Sequence, residues 1–286
     1  MRIRATVAAL SGTLALSALA VPAAHAGEEP AAPKLSASVA DVTEVVGAPR
    51  AAAGDIEVTK VTVNGGKDVA IGTTAKKKFT LAITATAPSG IKVSSGFLWF
   101  GDDLDAAAGS ELITPATPEE YNPTCDEVDA TTSTCTVNVT ADPARLRNAG
   151  AGVRWNVYAA VTDNDDTQVK LKNLKSDIRI QRAARLTVNA SPEPVKKGKT
   201  ITVAGALTRA NWDTKKYAGY TQQPVKLQFK KKGASSYTTV KTVKSDSKGN
   251  LKTTVKASVD GTFRYVFAGT STTPAVTSAG DAIDVR

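Results

Sequence analysis

The sequence predicts an all-β protein: two β-sandwich domains in tandem behind a cleavable export signal. Three observations carry this reading. Val, Thr, Ala, Gly and Lys are frequent while Met occurs once, a mixture suited to pleated, half-buried surfaces. Apolar residues recur with a period of two in short runs bounded by Gly, Asn, Asp and Pro. Nowhere does a helical period persist over several turns.

The N-terminus is read first. Arg2 and Arg4 precede an apolar stretch from Ala5 to Pro22 and a small-residue Ala24-His25-Ala26 site. That order is the charged, apolar and cleavage regions of a signal peptide, with Gly27 as the expected mature N-terminus. Ser11, Gly12, Thr13 and Ser17 dilute the stretch, which makes it a poor membrane span. No second apolar stretch of spanning length follows, so the expectation is a secreted protein without membrane contact after cleavage. The expected division is residues 1–26 as signal, 27–54 as a flexible arm with one added edge strand, 55–182 as the first domain and 183–286 as the second.

In the first domain Ile56 and Val58 share one parity and Val61 and Val63 the other, so a bulge is expected near Thr59. Asn64-Gly65-Gly66 signals a turn. Phe79, Leu81 and Ile83 alternate with polar or small residues as a half-buried strand. Phe97-Leu98-Trp99-Phe100 is apolar on both faces and reads as a central strand. A long acidic loop leads to Cys135, Val137 and Val139, which alternate again. Asp142-Pro143 opens one helical turn, with Asp as cap and Pro at the first position. Val153, Trp155, Val157, Ala159 and Val161 line the next strand, and the domain closes through Ile178 and Ile180.

The second domain repeats the scheme. Arg185-Leu186-Thr187-Val188-Asn189 echoes Lys60-Val61-Thr62-Val63-Asn64, and Ile201, Val203 and Leu207 stand where Phe79, Leu81 and Ile83 stood. Val225, Leu227 and Phe229 form one inward row, Leu251, Thr253 and Val255 another, and Phe263, Tyr265 and Phe267 a third. Short strands at this spacing argue for sandwiches.

Specific segments then carry a resemblance: Val225-Lys226-Leu227-Gln228, Tyr237-Thr238-Thr239-Val240, Asp246 with Gly249, Gly261-Thr262-Phe263-Arg264-Tyr265 with Gly269, and a closing strand at Ser278. With these the chain resembles the bacterial immunoglobulin-like domains of exported proteins. The first domain is similar through Gly152, Trp155 and Asp163 but departs by its acidic loop and its cysteines. The resemblance implies two tandem immunoglobulin-like β-sandwich domains. It implies a role among adhesion, spacing of other modules, and glycan or calcium binding, without choosing one.

The residues also limit the chemistry. The sole histidine, His25, lies in the signal, so the mature chain has no His-based nucleophilic or zinc site. Cys125 and Cys135 are expected to form a short local disulfide, worth about 3 kcal/mol in the chain-entropy treatment. The reading is therefore of a non-enzyme; a secreted hydrolase would need converging carboxylates or a Ser-Lys pair outside any recognisable motif. Calcium is the candidate cofactor, through Asp102, Asp103 and Asp105 or through Asp163, Asp165 and Asp166, although neither cluster follows the EF-hand spacing. The alternative is a solvated acidic loop for the first cluster and a polar hairpin turn for the second.

Charge divides the chain. Residues 27–182 hold 21 Asp/Glu against 16 Lys/Arg, whereas residues 183–286 hold 18 Lys/Arg against 6 Asp/Glu. A basic second domain suits an anionic wall polymer; no recognition motif points to specific nucleic-acid binding. The loop carrying Trp212, Lys215, Lys216, Tyr217 and Tyr220 is a candidate binding site for a glycan or an extracellular protein, weighed against packing over the end of the sandwich. Topology further suggests that Asp102, Asp103 and Asp105 face Arg209, Lys215 and Lys216 across an electrostatic interdomain contact. The expected function is a secreted binding or structural module, with a calcium-binding exported protein as the alternative.

Overall fold

The computed structural model describes residues 51–53, 55–104 and 110–286. The segment expected to be an export signal, most of the one expected to be an arm, and Asp105 lie outside the described residues. The described chain is all-β, its helical content confined to 3-10 turns such as Asn64–Gly66, Pro118–Tyr121, Pro143–Arg145 and Asn148–Gly150. Among the described residues no helix is long and apolar enough to cross a membrane.

The first half contains β1 (Ala51–Ala53), β2 (Ile56–Val63), β3 (Val69–Ile71), β4 (Lys77–Thr86), β5 (Ile91–Phe100), β6 (Glu111–Ile113), β7 (Thr124–Glu127), β8 (Thr132–Ala141), β9 (Asn156–Asp163), β10 (Gln168–Lys175) and β11 (Ile180–Arg182). One sheet runs in the order β1-β2-β4-β8-β7 and the other in the order β10-β9-β5-β6. Period-two burial explains both. Phe79, Leu81, Ile83 and Ala85 of β4 are buried, as are Cys135, Val137, Val139 and Ala141 of β8. Val157, Ala159 and Val161 of β9 are buried with Leu98 of β5 and Val169 and Leu171 of β10. The register of β2 against β4 slips between Val58 and Lys60, so the bulge at Thr59 lets Ile56 and Val58 face inward together with Val61 and Val63. The edge strand β1 pairs with β2, at the end of the segment read as an arm. β11 pairs in parallel with β3.

The second half contains β12 (Ala184–Leu186), β13 (Asn189–Ser191), β14 (Thr200–Asn211), β15 (Lys216–Gly219), β16 (Pro224–Lys231), β17 (Thr238–Lys244), β18 (Asn250–Lys256), β19 (Gly261–Phe267), β20 (Val276–Thr277) and β21 (Asp281–Ile283). β14 is the hub of one sheet and pairs with β12, β13, β15 and β18. The facing sheet runs β17-β16-β19-β20, with β21 also on β19. Phe263, Tyr265 and Phe267 point inward as a row. The Tyr265 hydroxyl donates to the Val203 carbonyl at 3.0 Å and so ties the two sheets together; burial pushes its phenol up to about 12. Gly205 is required where β14 passes Thr187, because an added Cβ would stand 2.2 Å from the Thr187 carbonyl oxygen.

Two hydrophobic clusters result. The second is built from residues 186–283 alone, but the first includes Ala210 and Trp212, which belong to the second half by sequence.

Candidate functional site

The region where the two halves meet concentrates the unusual side chains. It is built on β14, whose last residues leave the second sandwich and turn back as β15, with Asn211 opposite Lys216. Asn211 shapes the turn: its Oδ1 accepts from the Asp213 and Thr214 amides, each at 3.1 Å. Lys215 completes it in the left-handed region, with φ of 56°.

Trp212 is thereby driven into the first half, where it is fully buried. Its Nε1 donates to the carbonyls of Gly72 at 3.0 Å and Ile71 at 3.3 Å, at the end of β3. Asn148 answers from the first half. Its Oδ1 accepts from the Trp212 amide at 3.0 Å, and its Nδ2 donates to Asn211 Oδ1 at 2.8 Å and to Asp213 Oδ2. Lys215 Nζ donates to the carbonyls of Pro143 at 2.7 Å and Leu146 at 3.1 Å, closing the turn that Asp142 caps.

A second set of contacts forms where β11 leads into β12. Arg182 Nε donates to the Ala210 carbonyl at 2.5 Å and its amide to the Thr272 carbonyl at 2.9 Å. Gln181 Nε2 donates to the carbonyls of Thr270 and Ser271. Burial, and then the neighbouring Arg209, push the Arg182 guanidinium down to about 10. Arg209 stacks on the Tyr220 ring at 3.8 Å and donates to Thr272 Oγ1 at 3.1 Å, and Arg185 covers the Tyr217 ring at 3.6 Å. The backbone comes close enough at Gly152 (φ 80°) that a Cβ there would meet Thr272 at 2.6 Å.

The structure buries Trp212 and Tyr220 among the candidate binding residues and leaves Lys215 and Tyr217 half-buried. A sugar would need an open face of Trp212, and that face is filled by the first core. Lys216 is exposed. Of the acids suggested for an interdomain contact, Asp102 and Asp103 are exposed on the loop after β5 and Asp105 lies outside the described residues, while Lys215 and Arg209 donate to carbonyls and hydroxyls and Arg209 stacks on a ring. Among the described residues the contact is built from apolar packing and hydrogen bonds, some of them made by charged groups such as Lys215 and Asp213. Sequence reasoning missed Asn148, Arg182 and Gln181, which show no pattern before the chain is folded.

Asp163 is buried, and its Oδ1 accepts from the Asp165 and Thr167 amides, so it organises its own hairpin turn. Asp165 is exposed; Asp166 is exposed and paired with Lys92 at 2.5 Å. Among the described residues no three His, Cys, Asp or Glu side chains converge as a metal site. Two buried glutamates behave oppositely. Burial raises the Glu111 carboxyl, although the Arg147 amide donates to it at 2.8 Å. The Glu120 carboxyl is lowered by the Ala116 amide at 2.8 Å and by Lys78 Nζ at 2.9 Å. Cys125 and Cys135 are cross-strand partners on β7 and β8 and are joined as a disulfide.

Comparison with known proteins yields solved structures only. No protein-family model and no curated protein sequence matches the chain. Among solved structures, the fibronectin(III)-like modules of Clostridium thermocellum CbhA align over 79% of this chain and 93% of theirs, at 11% identity and a TM-score of 0.32. A chimeric titin Z1Z2-Z1Z2 tandem carrying a GRGDS peptide from fibronectin aligns over 81% of this chain and 99% of its own, at 11% identity and a TM-score of 0.28. Dimeric latent PorU from Porphyromonas gingivalis aligns over 80% of this chain but only 20% of its own, at 13% identity and a TM-score of 0.26.

Proposed function

We propose that the chain is exported through its leader and acts outside the cell as a non-enzymatic binding or structural unit made of two immunoglobulin-like modules. The observation that carries the reading is the interlock at Trp212. A module that places a fully buried indole in its neighbour's core spends its aromatic loop on fixing the neighbour's direction, which is what a spacer or a presenting scaffold requires. The bonded Cys125–Cys135 pair supports an oxidising compartment. The only histidine is in the leader and both thiols are bonded, which supports a role without His- or Cys-based nucleophilic catalysis.

The test is expression of the full reading frame, with a C-terminal tag, in a secreting bacterial host. The tagged chain should appear in the medium or the wall fraction with Gly27 at its N-terminus. Retention in the cytoplasm with the leader intact would refute the export reading.

A further inference from the structure

The outer face of the β17-β16-β19 sheet carries charge of one sign in a regular row. Lys226, Gln228 and Lys230 of β16 alternate with the buried Val225 and Leu227 and the half-buried Phe229, and so point outward. Arg264 of β19 stands opposite Gln228, and its Nε donates to Gln228 Oε1 at 2.9 Å. Cations therefore step Lys226, Arg264, Lys230 along the sheet, one for every two residues, a rise of about 6.8 Å. Their cross-strand neighbours Thr242, Val266, Thr239 and Thr262 are all uncharged. Past the end of β16 lies a depression of about 420 Å³ whose lining includes Lys197, Lys231, Lys232, Asp260 and Arg286. Its acid, Asp260, is held by the Val285 amide at 2.9 Å and by Lys232 at 3.3 Å. Among the described residues of this half, Lys232 and Arg286 are the cations in ion pairs, so the rest of the row carries uncompensated charge.

We propose that this row is a docking track for an extended, base-free phosphodiester polymer such as a poly(polyol phosphate). A glycerol phosphate repeat contains as many backbone bonds as two residues of strand, so successive phosphates advance by the same step along the sheet as the positions that carry the cations. A nucleic acid fits less well. Single-stranded binders stack bases on open rings, and Tyr237, the ring on this face, is covered by the Arg264 guanidinium at 3.7 Å with Lys230 Nζ at 5.1 Å. A lipid surface fits less well too, since the apolar side chains on and beside this face are the short Val240 and Val266 and a Tyr237 ring already covered by Arg264. This inference rests on the exported reading for its setting, yet its test is made on purified protein and does not depend on export.

The experiment titrates the chain lacking residues 1–26 with synthetic poly(glycerol phosphate), and with oligothymidylate and anionic phosphatidylglycerol vesicles of matched charge, across a salt series. Expected is binding of poly(glycerol phosphate) at least tenfold tighter than either comparator. In the triple variant Lys226→Gln/Lys230→Gln/Arg264→Gln, affinity should fall at least tenfold, and the slope of log K against log salt should flatten by about two, roughly 0.7 for each lost contact. The variant Lys252→Gln/Lys256→Gln, on the exposed outer positions of β18 in the other sheet, should change affinity less than threefold. Equal loss in both variants would mean that net charge alone binds and would overturn the track. Absence of binding, or tighter binding of oligothymidylate or vesicles, would overturn it as well. A melting curve for each variant separates loss of binding from loss of fold.

Discussion

Two carboxylates of the first half illustrate how local partners decide the sign of an electrostatic contribution. Glu120 accepts from the Ala116 amide, Lys78 Nζ and Thr140 Oγ1, and its carboxyl is held below the usual range. A group with a depressed folded pKa contributes stability above its unfolded value and loses it as pH falls through the folded one. Glu120→Gln should therefore destabilise the protein at neutral pH by about 1–3 kcal/mol, with the gap to wild type closing as the solution is acidified below the ordinary carboxylate range. Glu111 has the opposite sign, because burial is its largest influence and raises it. Its ionisation opposes folding at neutral pH, so the stability gap between wild type and Glu111→Gln should move in wild type's favour on acidification. Urea titrations of both variants from neutral to acid pH check the pair; parallel trends would contradict the assignment. Trp212→Ala should cost about 3–5 kcal/mol, the penalty for emptying a buried aromatic site. Neither glutamate was singled out chemically by the sequence, which showed only an acidic stretch. Whether a carboxylate meets an amide and a lysine or only an apolar wall depends on chain segments that meet after folding.

At the scale of elements, alternation was sufficient to find most strands. The rows Phe79/Leu81/Ile83 and Phe263/Tyr265/Phe267 are buried as their period implies, and the slip at Thr59 is where the parity changes. The turn opened by Asp142-Pro143 forms with Asp142 Oδ1 accepting from the Ala144 amide at 2.9 Å. The paired cysteines are expected from their even count and the local character of the bridge from their short separation, and they bridge directly opposite positions of β7 and β8. The Cys125→Ser/Cys135→Ser variant should lose up to about 3 kcal/mol. Amide exchange should rise first in residues 124–134, the turn the bridge closes, with β4 and β9 little changed. What alternation could not show was the destination of the hairpin between β14 and β15. An aromatic loop that reads equally as a ligand platform and as a plug differs only in what stands opposite it.

For the molecule as a whole, the opposite charges of the two halves suggested an ionic contact, whereas the observed contact is an indole, an asparagine, a lysine on carbonyls and a buried guanidinium. Buried apolar contacts are screened by salt far less than exposed ion pairs. Small-angle scattering of the chain lacking residues 1–26 should therefore give one distance distribution from low to high salt. Trp212→Ala should broaden that distribution and split a single thermal transition into two. A salt-dependent distribution in the wild type would mean that the ionic account was right after all. By itself the sequence determined an all-β chain, the inward rows, the bulge, the paired cysteines and the lack of histidine after His25, because period, turn chemistry and composition are local properties. Only the tertiary structure decided that Trp212 is a core residue of the other half, that Arg182 and Gln181 bind across the junction, and that Lys226, Arg264 and Lys230 fall in one row. Those facts depend on residues distant along the chain becoming neighbours, and strand pairing, unlike alternation, has no short-range signature.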